Sequence, residues 1–155
     1  MKIIVAMPIK ASADPLLLAG MDYLKKSRSP LQAEALLVPP KTSLGEDQKL
    51  ERMVHEGSLL LKKTEGYVRI ALTESGTPMS SLKFCGMLEK SMHTTSKMAF
   101  IIGGAFGLSD EVVKSCQKTL SLSAMTMPHR MAFLVLAEQI FRASEIMNNT
   151  AYHKE

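Results

Sequence analysis

Cysteine is scarce in this 155-residue chain and long hydrophobic runs are missing, and each shortage narrows what the protein can be. Cys85 and Cys116 stand far apart in amphipathic stretches without C-x-x-C spacing, so they read as core thiols rather than a disulfide, a redox pair or a metal site. His55, His93, His129 and His153 are scattered. No two have the i, i+4 spacing that would put both on one helix face, so no metal is expected. No apolar run approaches the roughly 20 residues of a membrane helix. The run after Met1-Lys2 is also too short for a signal peptide, so a cytoplasmic protein with no membrane partner is expected. A G-x-x-x-x-G-K-[ST] phosphate loop and a G-x-S-x-G nucleophile elbow are both absent, which removes support for nucleotide and serine hydrolysis. There is no internal repeat and no low-complexity linker.

What remains has an ordinary globular balance, 46% hydrophobic and 22% charged, enough for one domain over residues 1–155. The net charge of +4 suits an acidic partner such as RNA, although a modest lysine excess also serves as a solvated surface. A symmetric pair of chains would carry twice that charge and release more counterions from a nucleic acid.

Apolar or β-branched runs at Ile3–Met7, Ala35–Val38, Tyr67–Leu72, Met98–Ile102 and Thr119–Leu122 alternate with helical stretches near 14–28, 46–63, 81–93, 109–118 and 130–148. Short, nearly all-apolar strands between helices predict an α/β domain, a mainly parallel sheet with helices on both faces. Asp14-Pro15 marks a helix start, Ser109 and Ser80 or Ser81 can cap two others, and Glu74-Ser75-Gly76-Thr77-Pro78 reads as a turn. In the last helix Phe133, Leu136, Ala137, Ile140, Ala143, Ser144 and Met147 form one buried stripe. Met131, Leu134, Val135 and Phe141 form a second, for which the simplest partner is the same helix of another subunit. Glu138 and Arg142 are spaced for an ion pair.

Two loops follow apolar runs and precede helices, which places them at the carboxyl edge of a parallel sheet, where such sheets bind ligands. The first, Gly103-Gly104-Ala105-Phe106-Gly107, lacks the G-x-G-x-x-G register. It reads either as a tight strand-to-helix turn or as a loop whose small residues admit a ligand to the backbone. In the second, Leu122 to Pro128, Met125 and Met127 can sandwich a flat ring or serve only as core. Together the loops would enclose a small apolar pocket rich in main-chain donors and acceptors.

Four segments resemble the RlmH family, the pseudouridine methyltransferases of large-subunit ribosomal RNA within the SPOUT superfamily. They are Ile102-Gly103-Gly104 to Gly107-Leu108, Leu122-Ser123-Ala124-Met125-Thr126-Met127-Pro128-His129, Ala137-Glu138-Gln139-Ile140-Phe141-Arg142-Ala143, and Tyr152-His153-Lys154. The likeness extends over the whole chain and is strongest from residue 98 onward.

That resemblance implies a single-domain, trefoil-knotted SPOUT methyltransferase fold working as a homodimer, an exception to the rule that chains do not thread loops. S-adenosylmethionine would contact Leu72, Gly103, Gly104, Leu122, Ser123, Ala124, Met125, Thr126 and Met127. Arg142, Tyr152, His153 and Lys154 would lie near the target nucleotide, and the reaction would methylate N3 of a pseudouridine in rRNA of the ribosome. There His153 would accept a proton and Lys154 or Arg142 would stabilise the anion, or the same groups would hold rRNA phosphate. Thr73, Thr77 and Phe106 depart from the family pattern, standing where acidic, lysine and acidic or polar residues are usual. The alternatives are a knotted methyltransferase for another RNA site and a catalytically silent, dimeric RNA-binding module.

Overall fold

Each apolar run forms a strand in the computed structural model, which describes residues 1–40 and 48–154. The elements are β1 (Lys2–Met7), α1 (Pro15–Lys26), β2 (Gln32–Leu37), α2 (Lys49–Lys63), β3 (Val68–Pro78), α3 (Ser81–Met92), β4 (Lys97–Ile101), α4 (Asp110–Lys114), β5 (Lys118–Ser121) and α5 (His129–Met147). The five strands make one sheet in the order β2-β1-β4-β3-β5, and each adjacent pair is parallel.

Strand alternation divides the core in two. Ile3, Val5, Met7, Met98 and Phe100 face one side, covered by α1, α3 and α5 through Leu17, Phe84, Leu88, Phe133, Leu136 and Ile140. Ile4, Ala6, Ala99 and Ile101 face the other, where Leu60 of α2 and Val112 of α4 lie. Helices on both faces are what a mainly parallel sheet requires. Cys85 and Cys116 are free thiols, the first buried and the second half-buried. Burial pushes both up from their ordinary pKa.

The helix starts follow local chemistry. Asp14 accepts from the Leu16 and Leu17 amides at 3.0 and 3.2 Å, and Pro15 takes the first helical position. Ser80 rather than Ser81 caps α3, and Ser109 caps α4.

Three boundaries differ from those read in the sequence. The strand β2 begins at Gln32, because as an edge strand it leaves both of its polar residues, Gln32 and Glu34, exposed to water. Helix α4 stops at Lys114, five residues long. Residues 74–78 are not a turn but the end of β3, which pairs with β5 again after a break. Residues 46 and 47 of the helical stretch read at 46–63 lie outside the described residues.

Candidate active site at the carboxyl edge of the sheet

The break in β3 opens the site. Leu72 and Thr77 both register with Leu120 of β5, so the four residues between them bow out of the ladder. Gly76 brings the strand back, since a Cβ there would sit 2.6–2.8 Å from the Leu120 backbone. Leu72, Thr73, Glu74 and Ser75 consequently all line one cleft, which the alternation of a regular strand forbids.

The cleft holds about 870 Å³ and lies among this bow, the loop after β4 and the loop after β5. Of the residues expected to hold a cofactor, Leu72, Gly103, Gly104, Leu122, Ser123, Met125, Thr126 and Met127 line it. Ala124 does not figure in the lining; it is exposed. Met125 is 76% exposed, its amide held by Ser123 Oγ at 3.0 Å, while Met127 is half-buried.

The glycines are explained by the chain's own packing. A Cβ on Gly103 would lie 2.6 Å from the Gly107 carbonyl oxygen, and one on Gly104 would lie 2.5 Å from Glu56 Oε2. Gly107 has φ +80°, which a side chain resists. The strand-to-helix turn therefore accounts for Gly103 and Gly107, and the buried Glu56 of α2 for Gly104, even though the loop faces the cleft.

Sequence reading missed Lys49, Asp110 and His129 as lining residues. The signal was available, because a helix that follows a parallel strand starts at the carboxyl edge, and α2, α4 and α5 each contribute a first-turn residue. Phe106 is held from α2, with Lys49 Nζ 5.4 Å and Arg52 Cζ 5.6 Å from its ring centre. Arg52 also donates to buried Glu56 at 2.8 Å. Burial foremost, then Arg130, holds the His129 pKa below its ordinary value, with Arg52 adding to this and Glu56 and Asp14 opposing it.

Arg142, Tyr152 and His153 come together elsewhere. Arg142 donates to Glu138 Oε1 through Nε at 3.0 Å and Nη2 at 2.6 Å, and Tyr152 Oη donates to the same oxygen at 3.1 Å. The Tyr152 ring meets the Phe141 ring edge-on at 4.8 Å. Burial, then the bond to Glu138, pushes the Tyr152 phenol up to about 12. His153 Nδ1 lies 3.3 Å from Arg142 Nη1. A guanidinium only donates, so Nδ1 accepts and a neutral ring carries its proton on Nε2. Lys154 is exposed. None of these four lines the cleft, and Arg142 lies about 20 Å along α5 from His129. No group of three or more His, Cys, Asp or Glu able to hold a metal occurs among the described residues, and none of their helices is long and apolar enough to cross a membrane.

The model of a family described as predicted SPOUT methyltransferase matches residues 1–153. The chain belongs to the SPOUT methyltransferase family. It is a methyltransferase. Relatives named ribosomal RNA large subunit methyltransferase H include one from Parabacteroides distasonis, 42% identical over 115 residues that cover 73% of this chain and 71% of that protein. Another, from Bacillus cytotoxicus, is 37% identical over 145 residues covering 86% and 87%. A probable methylase family protein from Haemophilus influenzae has a similar fold, with a TM-score of 0.57 at 15% identity over 99% of this chain and 70% of that one. A probable methyltransferase from Bordetella pertussis matches with the same score and identity over 92% and 94%. At that identity the likeness concerns the SPOUT fold alone.

Proposed function

We propose that this SPOUT methyltransferase carries the methyl group of S-adenosylmethionine to N3 of a pseudouridine in large-subunit ribosomal RNA, within the cytoplasmic ribosome, as a homodimer of trefoil-knotted chains. The observation that carries the reading is the cleft where the β3 bow and the loops after β4 and β5 converge. Its volume suits a ligand of this size. Its lining also matches the donor's chemistry: Leu72, Leu122 and Met127 offer apolar contact, Glu74 and Asp110 face a cationic ligand, Lys49 suits a carboxylate, and the Thr73 hydroxyl lacks a partner. Leu72, Gly103, Gly104 and residues 122–127 would hold the donor. Ala124 would contribute through its backbone.

The bound donor supplies a methyl group on a sulfonium, already activated toward a nucleophile. The protein's task is then to align that methyl with N3 and to favour loss of the N3 proton. With the tail docked, α5 and the tail present mainly donors: the Lys154 ammonium, His153 Nε2–H and the Arg142 guanidinium, the last already bonded to Glu138 and His153. Such a set stabilises the anion left at the base or holds rRNA phosphate, and His153 must leave Arg142 before it can accept a proton. Tyr152 stays a phenol at working pH.

One chain's tail lies far from its own cleft, and dimerisation through α5 would bring the tail of one subunit to the cleft of the other. Met131 on α5 is exposed, as are Leu18 and Leu82 on the helices either side, which supports an interface there. The test is mass mapping of rRNA from cells lacking the protein. Loss of one pseudouridine methyl, restored by the wild-type gene, is expected; an unchanged methylation map overturns the reading.

A further inference from the structure

Among the described residues, Thr73 Oγ1 is a side-chain oxygen closed off from water that has no hydrogen-bond partner. The other such atom, Glu145 Oε1, has the Arg28 guanidinium at 3.7 Å to offset its burial. An unpaired buried hydroxyl costs about 1–3 kcal/mol, so an orphan of this kind calls for a cause. Its position supplies one. Thr73 is the first residue of the bow in β3, where the ladder to β5 is interrupted, and it lines the cleft between Leu72 and Glu74.

We infer that the Thr73 hydroxyl is a hydrogen-bonding contact for the methyl donor and that its partner is a polar group of the bound nucleoside or amino acid. The inference rests on the cleft being the S-adenosylmethionine site. A hydroxyl both donates and accepts, so it can pair with an amine, a hydroxyl or a carboxylate of the ligand.

Valine keeps the shape of threonine and removes only the polar atom, which makes Thr73→Val the decisive variant, with Thr73→Ser as the control that keeps the hydroxyl. The full-length protein is titrated calorimetrically with S-adenosylmethionine and with S-adenosylhomocysteine, and its ligand-free stability is measured by urea unfolding. Thr73→Val should bind both ligands roughly three- to tenfold more weakly. Thr73→Ser should bind within about twofold of wild type. Without ligand, Thr73→Val should be as stable as wild type or more so, since an unsatisfied group has been removed. Equal binding by wild type and Thr73→Val overturns this inference alone. Lower ligand-free stability of Thr73→Val also overturns it, because the hydroxyl would then have its partner within the protein. Failure of the wild type to bind either ligand overturns the donor site and this inference with it.

Discussion

His129 shows how one residue at the cleft couples burial to pH. Its folded-state pKa lies below the ordinary 6.5, mainly through burial, so in mildly acidic solution the unfolded chain binds a proton that the folded chain declines. Stability should be unaffected above about pH 6.5 and should fall as pH drops from there toward the lower folded value. An imidazole NMR titration should place His129 below the ordinary value, and His129→Gln should flatten that part of the stability profile measured in urea. The glycines give a second test at this scale. Gly103→Ala drives a methyl into the Gly107 backbone and should cost about 2–3 kcal/mol. Gly86, in α3, has nothing within 4 Å of its would-be Cβ. Gly86→Ala should therefore stabilise by about 0.5–1 kcal/mol. Equal effects of the two substitutions would contradict the packing described for the loop. The sequence left the role of Gly103 open because its constraint comes from Gly107, and only the folded loop brings those two backbones together.

Among elements, α5 and the tail are joined by a defined stop. Asn149 has φ +53° and donates to the Ile146 carbonyl at 2.9 Å, while the Thr150 amide reaches the Glu145 carbonyl at 3.0 Å. This pair of bonds ends the helix and turns the chain back along it. The tail is therefore docked on α5 through Tyr152, not merely appended to it. Removing residues 152–155 should cost about 1 kcal/mol from the lost aromatic pair, without unfolding the domain. Cofactor affinity should be nearly unchanged and methyl transfer to ribosomes abolished. A truncated protein that methylates ribosomes at the normal rate would show that the tail is dispensable. The helix and strand order was legible in the sequence, because apolar runs and caps such as Asp14-Pro15 are local signals. The bow in β3 was not, since Ser75-Gly76-Thr77-Pro78 has the composition of a turn. Its extended course is imposed by Leu120 on the neighbouring strand. The buried face of α5 was legible from its spacing, since Phe133, Leu136, Ala137, Ile140, Ala143 and Ser144 are buried and Met147 is half-buried. Of the second stripe only Met131 is exposed, while Leu134 and Val135 are half-buried and Phe141 packs on Tyr23 and Tyr152 of its own chain.

For the whole molecule, the outward side of α5 leads to a prediction about assembly. Light scattering at micromolar concentration should find a dimer, and Leu134→Glu together with Met131→Glu should yield a folded monomer with weaker methyl transfer. A wild-type monomer would remove the basis for pairing one subunit's tail with the other's cleft. The sheet order could not be read from the strands, because it depends on crossovers that leave no local trace. It also has a consequence for how the chain reaches this state. The N-terminal strand β1 lies inside the sheet, with one flank on β2 and the other on β4, where Lys2 registers with Lys97 and Ala6 with Ile101. The strand made first thus waits for residues made much later, and α5, which seals Phe133 and Leu136 over the same face, is later still. Such a topology folds slowly and leaves sticky surface uncovered while the chain is being made. Nascent chains cut off before residue 97 should aggregate or be held by chaperones, and the protein should become soluble on its own only once β4 and α5 have left the ribosome.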